Sequence, residues 1–237
     1  SNAAIITSSY NTYHPYYSIV TQSSISSLSN SAYNLSDGFG KTNNEFGYGA
    51  GIGAGIRGNI KEFNIGKFKV NGLYLGVEAF INADKTLSKK ASHLYRGNAN
   101  EVESERVKIY SVFNARVNIG YSFKNTQVLN KSNINGFFNN LTIFTSLGLK
   151  HFEYESTYTY TDYNMYYMDE FIRYNDWKIA PALGFGLIYS ISKRFEAVLG
   201  YEYSFFNIKD QVFDDPNGEG KVKLRVNTIR LGLNYVF

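Results

Sequence analysis

The feature of this sequence that most constrains its fold is an alternation of apolar residues with small or polar ones. Near the end of the chain the odd positions carry Ile229, Leu231, Leu233, Tyr235 and Phe237, and the even positions carry Thr228, Arg230, Gly232, Asn234 and Val236. Successive side chains of a β-strand point to opposite faces of the sheet, so this period of two predicts a strand with one apolar face. Six further segments repeat the pattern: 46–59, 73–82, 108–124, 141–151, 176–190 and 194–207.

An eighth strand is needed if the sheet closes on itself with an even number of strands. The candidate is Tyr16–Ser24, where the alternation is short and polar. The connections fall into a long set (25–45, 84–107, 153–175 and 208–220) and a shorter set (60–72, 125–140 and 191–193). Long and short connections alternate when the two rims of a membrane meander face different compartments. We therefore predict an all-β fold: an eight-stranded antiparallel up-and-down transmembrane β-barrel with long extracellular loops and shorter periplasmic turns.

The first three residues, Ser1, Asn2 and Ala3, are typical of a remnant left by tag cleavage, and we set them aside. The rest of the chain contains no linker and no marked change in composition, so we expect a single barrel domain over residues 4–237. A charged segment followed by an apolar run is not found at the start. Because a barrel of this kind is secreted, we expect that a signal peptide has been removed.

Two orientations of the barrel wall compete. In a soluble barrel such as a lipocalin the apolar face points inward, whereas in a membrane barrel it faces lipid. Here the polar face is dominated by Gly, Ala, Ser and Asn, which suits the crowded interior of a narrow barrel better than a solvated surface. This face also carries charges of both signs: Arg57, Glu78, Arg116, Lys150, Lys178, Glu196, Glu202 and Arg230. We expect these side chains to form a network of ion pairs in the lumen, because an unpaired buried charge is costly.

The apolar face supports the membrane orientation. Its central positions lack Lys, Arg, Asp and Glu, and aromatic residues gather at the ends of the segments, as in the interfacial girdles of membrane barrels. The chain has no run of 18 apolar residues, and its mean hydropathy is −0.29. It has no cysteine, which excludes a disulfide scaffold and a thiolate site. A net charge of +4 is too small and diffuse to indicate a nucleic-acid partner.

The terminal pattern of Leu233, Tyr235 and Phe237 resembles the C-terminal signal of Gram-negative outer-membrane proteins. Chain length, strand number and glycine-rich strands are similar to those of the small eight-stranded barrels: the OmpA transmembrane domain, OmpX, the opacity adhesins and related surface antigens. The resemblance implies a location in the cell outer membrane and recognition by the barrel assembly machinery. It also implies contact with the lipid bilayer and lipopolysaccharide. The weak first strand and a proline within a strand, Pro181, depart from the family pattern.

Little in the sequence points to catalysis, and we expect no catalytic, cofactor or metal residues. His151 with Ser156 suggests the pair used by barrels that deacylate lipid A, but the surrounding residues of such enzymes are missing. An omptin-like protease would need Asp–His pairs, and no histidine lies near Asp162, Asp169 or Asp176. The segment 214–219 has enough oxygens for calcium, but its Pro-Asn-Gly core favours a solvated turn.

The segment 153–175 is the candidate binding loop because it is rich in tyrosine, a residue with a large amphipathic contact area. Its main candidates are Tyr158, Tyr160, Tyr163, Tyr166 and Tyr167. The alternative is that the alternating Tyr and Thr residues extend the hairpin beyond the membrane. We expect a surface protein of adhesin or antigen type without catalysis, whose loops bind a partner such as a host surface molecule. A narrow porin-like channel and a soluble lipocalin-like carrier stay open as alternatives.

Overall fold

The computed structural model describes residues 13–30, 45–86, 90–94, 100–123, 135–209 and 221–237. These residues form eleven strands and one short helix. The elements are β1 (Tyr13–Asn30), β2 (Glu45–Asn59), β3 (Phe63–Ile65), β4 (Phe68–Val70), β5 (Leu73–Thr86), β6 (Lys90–Leu94), β7 (Glu101–Ser122), α1 (Asn135–Asn139), β8 (Leu141–Asp162), β9 (Tyr167–Ser190), β10 (Phe195–Lys209) and β11 (Lys221–Val236). In this part of the chain, no helix has the length and apolar character needed to cross a membrane.

Eight of the strands form one closed antiparallel barrel. Strands β1, β2, β5, β7, β8, β9, β10 and β11 each pair with two neighbours, and β1 pairs with β11 to close the ring. The closing ladder runs from Tyr16 opposite Val236 to Asn30 opposite Val222. Each of the eight predicted segments corresponds to one of these strands, with three segments extending one or two residues past a strand end, so the predicted fold class is confirmed. The polar candidate Tyr16–Ser24 lies within β1, which extends beyond it at both ends.

The connections at one rim are short. Residues 63–70 form the small hairpin β3–β4, in which Gly66 takes a φ of 59° that glycine adopts without strain. Ser190 and Phe195 are joined by a tight turn, in which the Ser192 hydroxyl accepts a hydrogen bond from the Phe195 amide at 3.1 Å. The connection 125–140 ends with the short helix α1, in which the ring of Phe137 stacks on that of Tyr189 with centroids 5.3 Å apart.

At the opposite rim, long loops were expected at 84–107 and 153–175. Most of these residues are in strands, so the predicted limits of both loops were wrong. Strand β5 continues to Thr86 and β7 begins at Glu101, while β8 and β9 reduce the other connection to residues 163–166. The alternation of Tyr and Thr continues the ladder because β-branched and aromatic residues suit a pleated strand. The segment 153–175 was interpreted either as a binding loop or as an extension of the hairpin, and in the structure it is an extended hairpin.

The barrel wall has its apolar face outside. In β11, Leu231 is 58% exposed on the outer surface, whereas its neighbour Arg230 is 4% exposed in the lumen. In β8, Leu147 is 61% exposed and Lys150 is buried. A soluble barrel would show the reverse distribution, so this wall has the arrangement of a transmembrane barrel.

The outward-facing apolar side chains form a band around the barrel, which we call the apolar belt. Aromatic residues border this belt at both of its edges. At the short-turn rim, Tyr17, Tyr235 and Phe237 pack edge to face with ring centroids 5.0 and 5.2 Å apart. At the other end of the belt lie Tyr203, Phe205 and Trp177. Along β10 the ten residue steps from Phe195 to Phe205, at ~3.3 Å each and a tilt of ~40°, span about 25 Å. This is the height of the apolar band in outer-membrane barrels.

Pro181 marks the point where a hairpin leaves the barrel wall. The ladder between β9 and β10 runs from Ser190 opposite Glu196 to Ala182 opposite Ser204 and ends beside Pro181. Because proline has no N–H to donate, it cannot continue this ladder. Beyond it, β9 remains paired with β8 as far as Tyr167 opposite Asp162.

Candidate functional site

The centre of the lumen is organised around the carboxylate of Glu202, which is 2% exposed. The Nζ atom of Lys150 donates to its Oε1 at 2.9 Å. A guanidinium nitrogen of Arg230 donates to its Oε2 at 2.7 Å, and one of Arg116 reaches the same oxygen at 3.5 Å. The amide of Asn114 adds a further bond at 2.9 Å. Three cations therefore converge on one buried carboxylate, which satisfies the need of buried charges for partners.

Two further groups extend the network toward the short-turn rim. Arg116 also pairs with Glu78, which accepts a hydrogen bond from the Tyr16 hydroxyl at 2.6 Å. Closer to the rim, Arg57 pairs with Glu196. The Glu196 carboxylate also accepts a bond from the Asn234 amide at 3.3 Å. The uncharged members of the network, Tyr16, Asn114 and Asn234, were not predicted from the sequence. Nothing distinguishes them from other Tyr and Asn residues on the same face.

Of the eight charged residues predicted for the lumen, the structure brings seven together in these contacts. They are Arg57, Glu78, Arg116, Lys150, Glu196, Glu202 and Arg230. Lys178 lies opposite Phe152 on the neighbouring strand and is half-buried. No ion pair joins Lys178 to any residue that the structure describes.

Above the ionic network the lumen is filled by an apolar plug. Its members are Ile109, Phe152, Tyr154, Ala180, Phe206 and Val226, all buried. The rings of Phe152 and Phe206 stack with centroids 4.9 Å apart. Sequence analysis missed the plug because these residues share strand faces with small and charged ones. A narrow barrel filled in this way leaves no wide aqueous path.

Inward-facing glycines make room for the larger lumen side chains. A Cβ atom on Gly120 would overlap the ring of Tyr74, and one on Gly53 would overlap the ring of Phe80. The glycine repeat of β2 is therefore a packing surface. A signal was present in the sequence, since aromatic residues on the small-residue face require such gaps on neighbouring strands.

Two of the cavities inside the barrel are lined by residues that the structure describes. One, of about 20 Å³, lies beside Glu78, Arg116 and Asn118 and has room for one water molecule. The other, of about 450 Å³, opens at the short-turn rim and has Arg57, Tyr74 and Glu196 at its inner end. We call this second cavity the vestibule.

The tip of the β8–β9 hairpin presents a cluster of exposed side chains: Tyr163, Met165, Tyr166, Tyr167 and Met168. Tyr166 is 98% exposed and takes a φ of 51°. The buried carboxylate of Asp162 accepts hydrogen bonds from the amides of Asn164 and Met165 at 2.9 and 3.3 Å. An aspartate bonding its own turn in this way fixes the backbone on which the tip residues sit.

The remaining predicted binding residues differ in their placement. Tyr160 is half-buried on β8 below the tip, and the side chain of Tyr158 lies outside the described residues. Three of the five predicted tyrosines, Tyr163, Tyr166 and Tyr167, therefore meet at the tip.

The residues considered for catalysis do not form a site in the described part of the chain. His151 faces outward and stacks on Trp177 with ring centroids 5.6 Å apart. Asp162 is engaged by the hairpin turn. No group of three His, Asp or Glu side chains that could hold a metal ion occurs among the described residues. The side chains of Ser156, Asp169 and Asp176, and the segment 214–219, lie outside them.

No protein-family model and no curated protein matches this chain. Several solved structures are similar to it at low sequence identity. The attachment invasion locus protein Ail of Yersinia pestis is 13% identical with a TM-score of 0.36, over 94% of this chain and 98% of that one. Neisserial surface protein A is 13% identical with a TM-score of 0.43, over 93% and 97%. The outer-membrane protease OmpT of Escherichia coli is 11% identical with a TM-score of 0.32, over 98% and 99%. The fold assignment rests on the strand pairing itself, which closes a ring of eight antiparallel strands.

Proposed function

We propose that this chain is an outer-membrane surface protein whose β8–β9 hairpin binds a partner outside the cell and which performs no catalysis. The observation that carries the proposal is the exposed aromatic tip of a hairpin that extends well beyond the apolar belt. The barrel holds the hairpin, and the hairpin makes the contact.

The apolar belt supports the membrane part of the proposal. Its outer surface carries residues such as Leu147, Leu199 and Leu231, about half of each exposed. An apolar surface of this extent is costly in water and is covered by lipid in membrane barrels. In an outer membrane the upper edge of the belt would meet lipopolysaccharide. The exposed end of β11, with Leu233, Tyr235 and Phe237, is where the assembly machinery would read its signal.

The hairpin supports the binding part. On the outer face of β8, Glu153 is the first charged residue above the belt. From Glu153 to Asp162 the strand continues for ten residues, which is ~30 Å at ~3.3 Å each. The tip residues Tyr163, Tyr166 and Tyr167 offer large, rigid contact area, a property that paratopes exploit.

The lumen favours a surface protein over a channel. The plug of Phe152, Phe206 and their neighbours closes the barrel above the ionic network, and the cavity below it holds about 20 Å³. Ions would have to cross an apolar layer, so we expect no sustained conductance in planar bilayers. We also expect unchanged lipid A in cells that express the protein.

The location is tested by epitope insertion. A short epitope placed after Asn164, at the hairpin tip, should bind antibody on intact cells. The same epitope placed after Gly66, in the β3–β4 hairpin at the opposite rim, should bind only after the cells are permeabilised. Equal labelling of both insertions on intact cells, or of neither, would overturn the proposed location.

The binding role is tested by an adhesion assay with whole cells. The triple variant Tyr163→Ser, Tyr166→Ser and Tyr167→Ser should lose adhesion to host extracellular-matrix and glycan surfaces while keeping its surface level. The matched control replaces Ile65 and Phe68, equally exposed apolar residues at the opposite rim, with serine. Adhesion that survives the triple variant, or that falls equally in the control, would show that the tip is not the binding element.

A further inference from the structure

The vestibule at the short-turn rim is a second candidate site, separate from the hairpin. Its volume of about 450 Å³ falls in the range of small-ligand pockets. Its walls carry amide and hydroxyl side chains, including Asn59, Asn140, Thr142 and Ser190. A wall of this kind can hydrogen-bond a small polar molecule, and it lies inside the barrel, away from the lipid-facing surface.

The inner end of the vestibule offers hydrogen-bond donors that the protein leaves unused. The guanidinium of Arg57 carries five N–H groups, and among the described residues its one hydrogen bond goes to Glu196. Arg57 lines the inner end of the cavity, and its guanidinium carbon lies 6.0 Å from the centre of the Tyr74 ring. An unpartnered buried donor is costly unless a ligand or water satisfies it.

The charge around the vestibule favours an anion. Its lining includes two cations, Arg57 and Lys193, and one carboxylate, Glu196. Among the described residues, the surrounding rim adds the cations Lys61, Lys67, Lys69 and Arg194 and the acidic residue Glu62. Glu62 is itself paired with Lys69 at 3.0 Å. A positively charged mouth raises the local concentration of anions and speeds their entry.

We propose that the vestibule binds a small soluble oxyanion, a carboxylate or a phosphate, from the compartment that the short turns face. The remaining N–H groups of Arg57 hold the oxyanion, and Lys193 lies at the mouth. Guanidinium groups bind carboxylate and phosphate oxygens in pairs, which matches this chemistry. The site is independent of the hairpin, so its loss would leave partner binding at the tip intact.

The test is a titration of the folded, ¹⁵N-labelled full chain in maltoside micelles, which contain no phosphate. Inorganic phosphate, acetate and chloride are added separately at matched ionic strength. We expect saturable shifts of the Ser190, Ile191 and Asn140 amide signals with phosphate or acetate, and none with chloride. Saturation by both oxyanions identifies a general oxyanion site, whereas saturation by one identifies its preferred class.

Variants separate a specific site from general attraction to a basic rim. Arg57→Lys keeps the positive charge beside Glu196 but removes the paired N–H groups, and it should weaken binding about tenfold, the effect of losing one hydrogen bond to a charged group. Lys193→Gln should weaken it several-fold. Lys67→Gln is the matched control, since Lys67 is exposed at the same rim but does not line the cavity. No saturation below about 10 mM, equal shifts with chloride, or equal weakening by Lys67→Gln would overturn the proposal.

Discussion

Replacing Glu202 with glutamine removes the carboxylate on which three lumen cations converge. Lys150 and Arg230 lie 2.9 and 2.7 Å from its oxygens, and Arg116 lies 3.5 Å away. The side chain of Glu202 is 2% exposed, so water cannot replace the lost charge. Breaking a buried ion pair by removing one partner costs about 3–5 kcal/mol. Lys150 and Arg230 both bond this carboxylate, while Arg116 keeps its pair with Glu78. Because two close cations are affected together, we expect Glu202→Gln to lower the free energy of unfolding by an amount near the upper end of that range.

The assay is equilibrium unfolding in urea with the protein folded into short-chain phosphatidylcholine vesicles. The chain has one tryptophan, Trp177, which is exposed at the edge of the belt and reports insertion by its fluorescence. Glu155→Gln is the matched control. It breaks the Lys108–Glu155 pair, whose atoms are 3.5 Å apart and whose side chains are 34% and 25% exposed. That change should cost less than about 1 kcal/mol.

A double variant distinguishes charge from packing. Lys150→Met combined with Glu202→Gln removes one of the uncompensated cations, so the double variant should be more stable than Glu202→Gln alone. A loss for Glu202→Gln no larger than that for Glu155→Gln would refute the reasoning, because it would mean that the lumen charges are not mutually compensating.

Three further outcomes follow from the packing of the wall and the hairpin. Leu147→Lys, on the outer face, should cost roughly 2–4 kcal/mol in the vesicle unfolding assay, whereas the same change at an exposed site in water costs at most about 0.5 kcal/mol. Gly120→Val should lower stability by about 1–3 kcal/mol because its side chain overlaps the Tyr74 ring; a Tyr74→Leu change in the same chain should recover part of the loss, and no recovery would place the strain elsewhere. Asp162→Ala removes the acceptor for two turn amides, so hydrogen exchange of Asn164 and Met165 should accelerate at least about tenfold, and unchanged exchange would show that the turn does not depend on Asp162.

The orientation of the wall was predictable because it depends on a local property of the chain. Alternation in β11 sets Arg230 and Leu231 on opposite faces whatever the rest of the fold does. The composition of the two faces then decides which one meets lipid. The same reasoning predicted charged residues in the lumen, because the small-residue face points inward, and seven of the eight, all except Lys178, form ion pairs there.

The contacts within the lumen depend on the register of distant strands, so they could not be predicted from the sequence. Lys150 and Glu202 meet across 52 residues, on strands that do not pair with each other. Local irregularities add to the difficulty. In β7 the register shifts between Ser111 and Phe113, so Ile109 points inward above the bulge and Asn114 below it. An extra residue of this kind reverses the alternation, and nothing in the sequence marks it.

The extent of the hairpin was uncertain for a different reason. Tyrosine and threonine are common both in strands and in binding loops, so the composition of 153–175 fits either. The strand pairing distinguishes the two interpretations, because β8 and β9 are paired with each other up to Asp162 and Tyr167. The vestibule could not be predicted either, because the residues lining it come from several strands and turns that meet only at the closed rim.

The central claim is that the apolar face of the wall is in contact with lipid. It is tested most directly by spin labels on single cysteines, which the cysteine-free chain permits without background labelling. A label at Leu147→Cys, in vesicles, should collide readily with molecular oxygen and hardly at all with a water-soluble nickel complex. A label at the buried neighbour Ser146→Cys should be shielded from both. Free access of the nickel complex to position 147 would place that face in water and contradict the account.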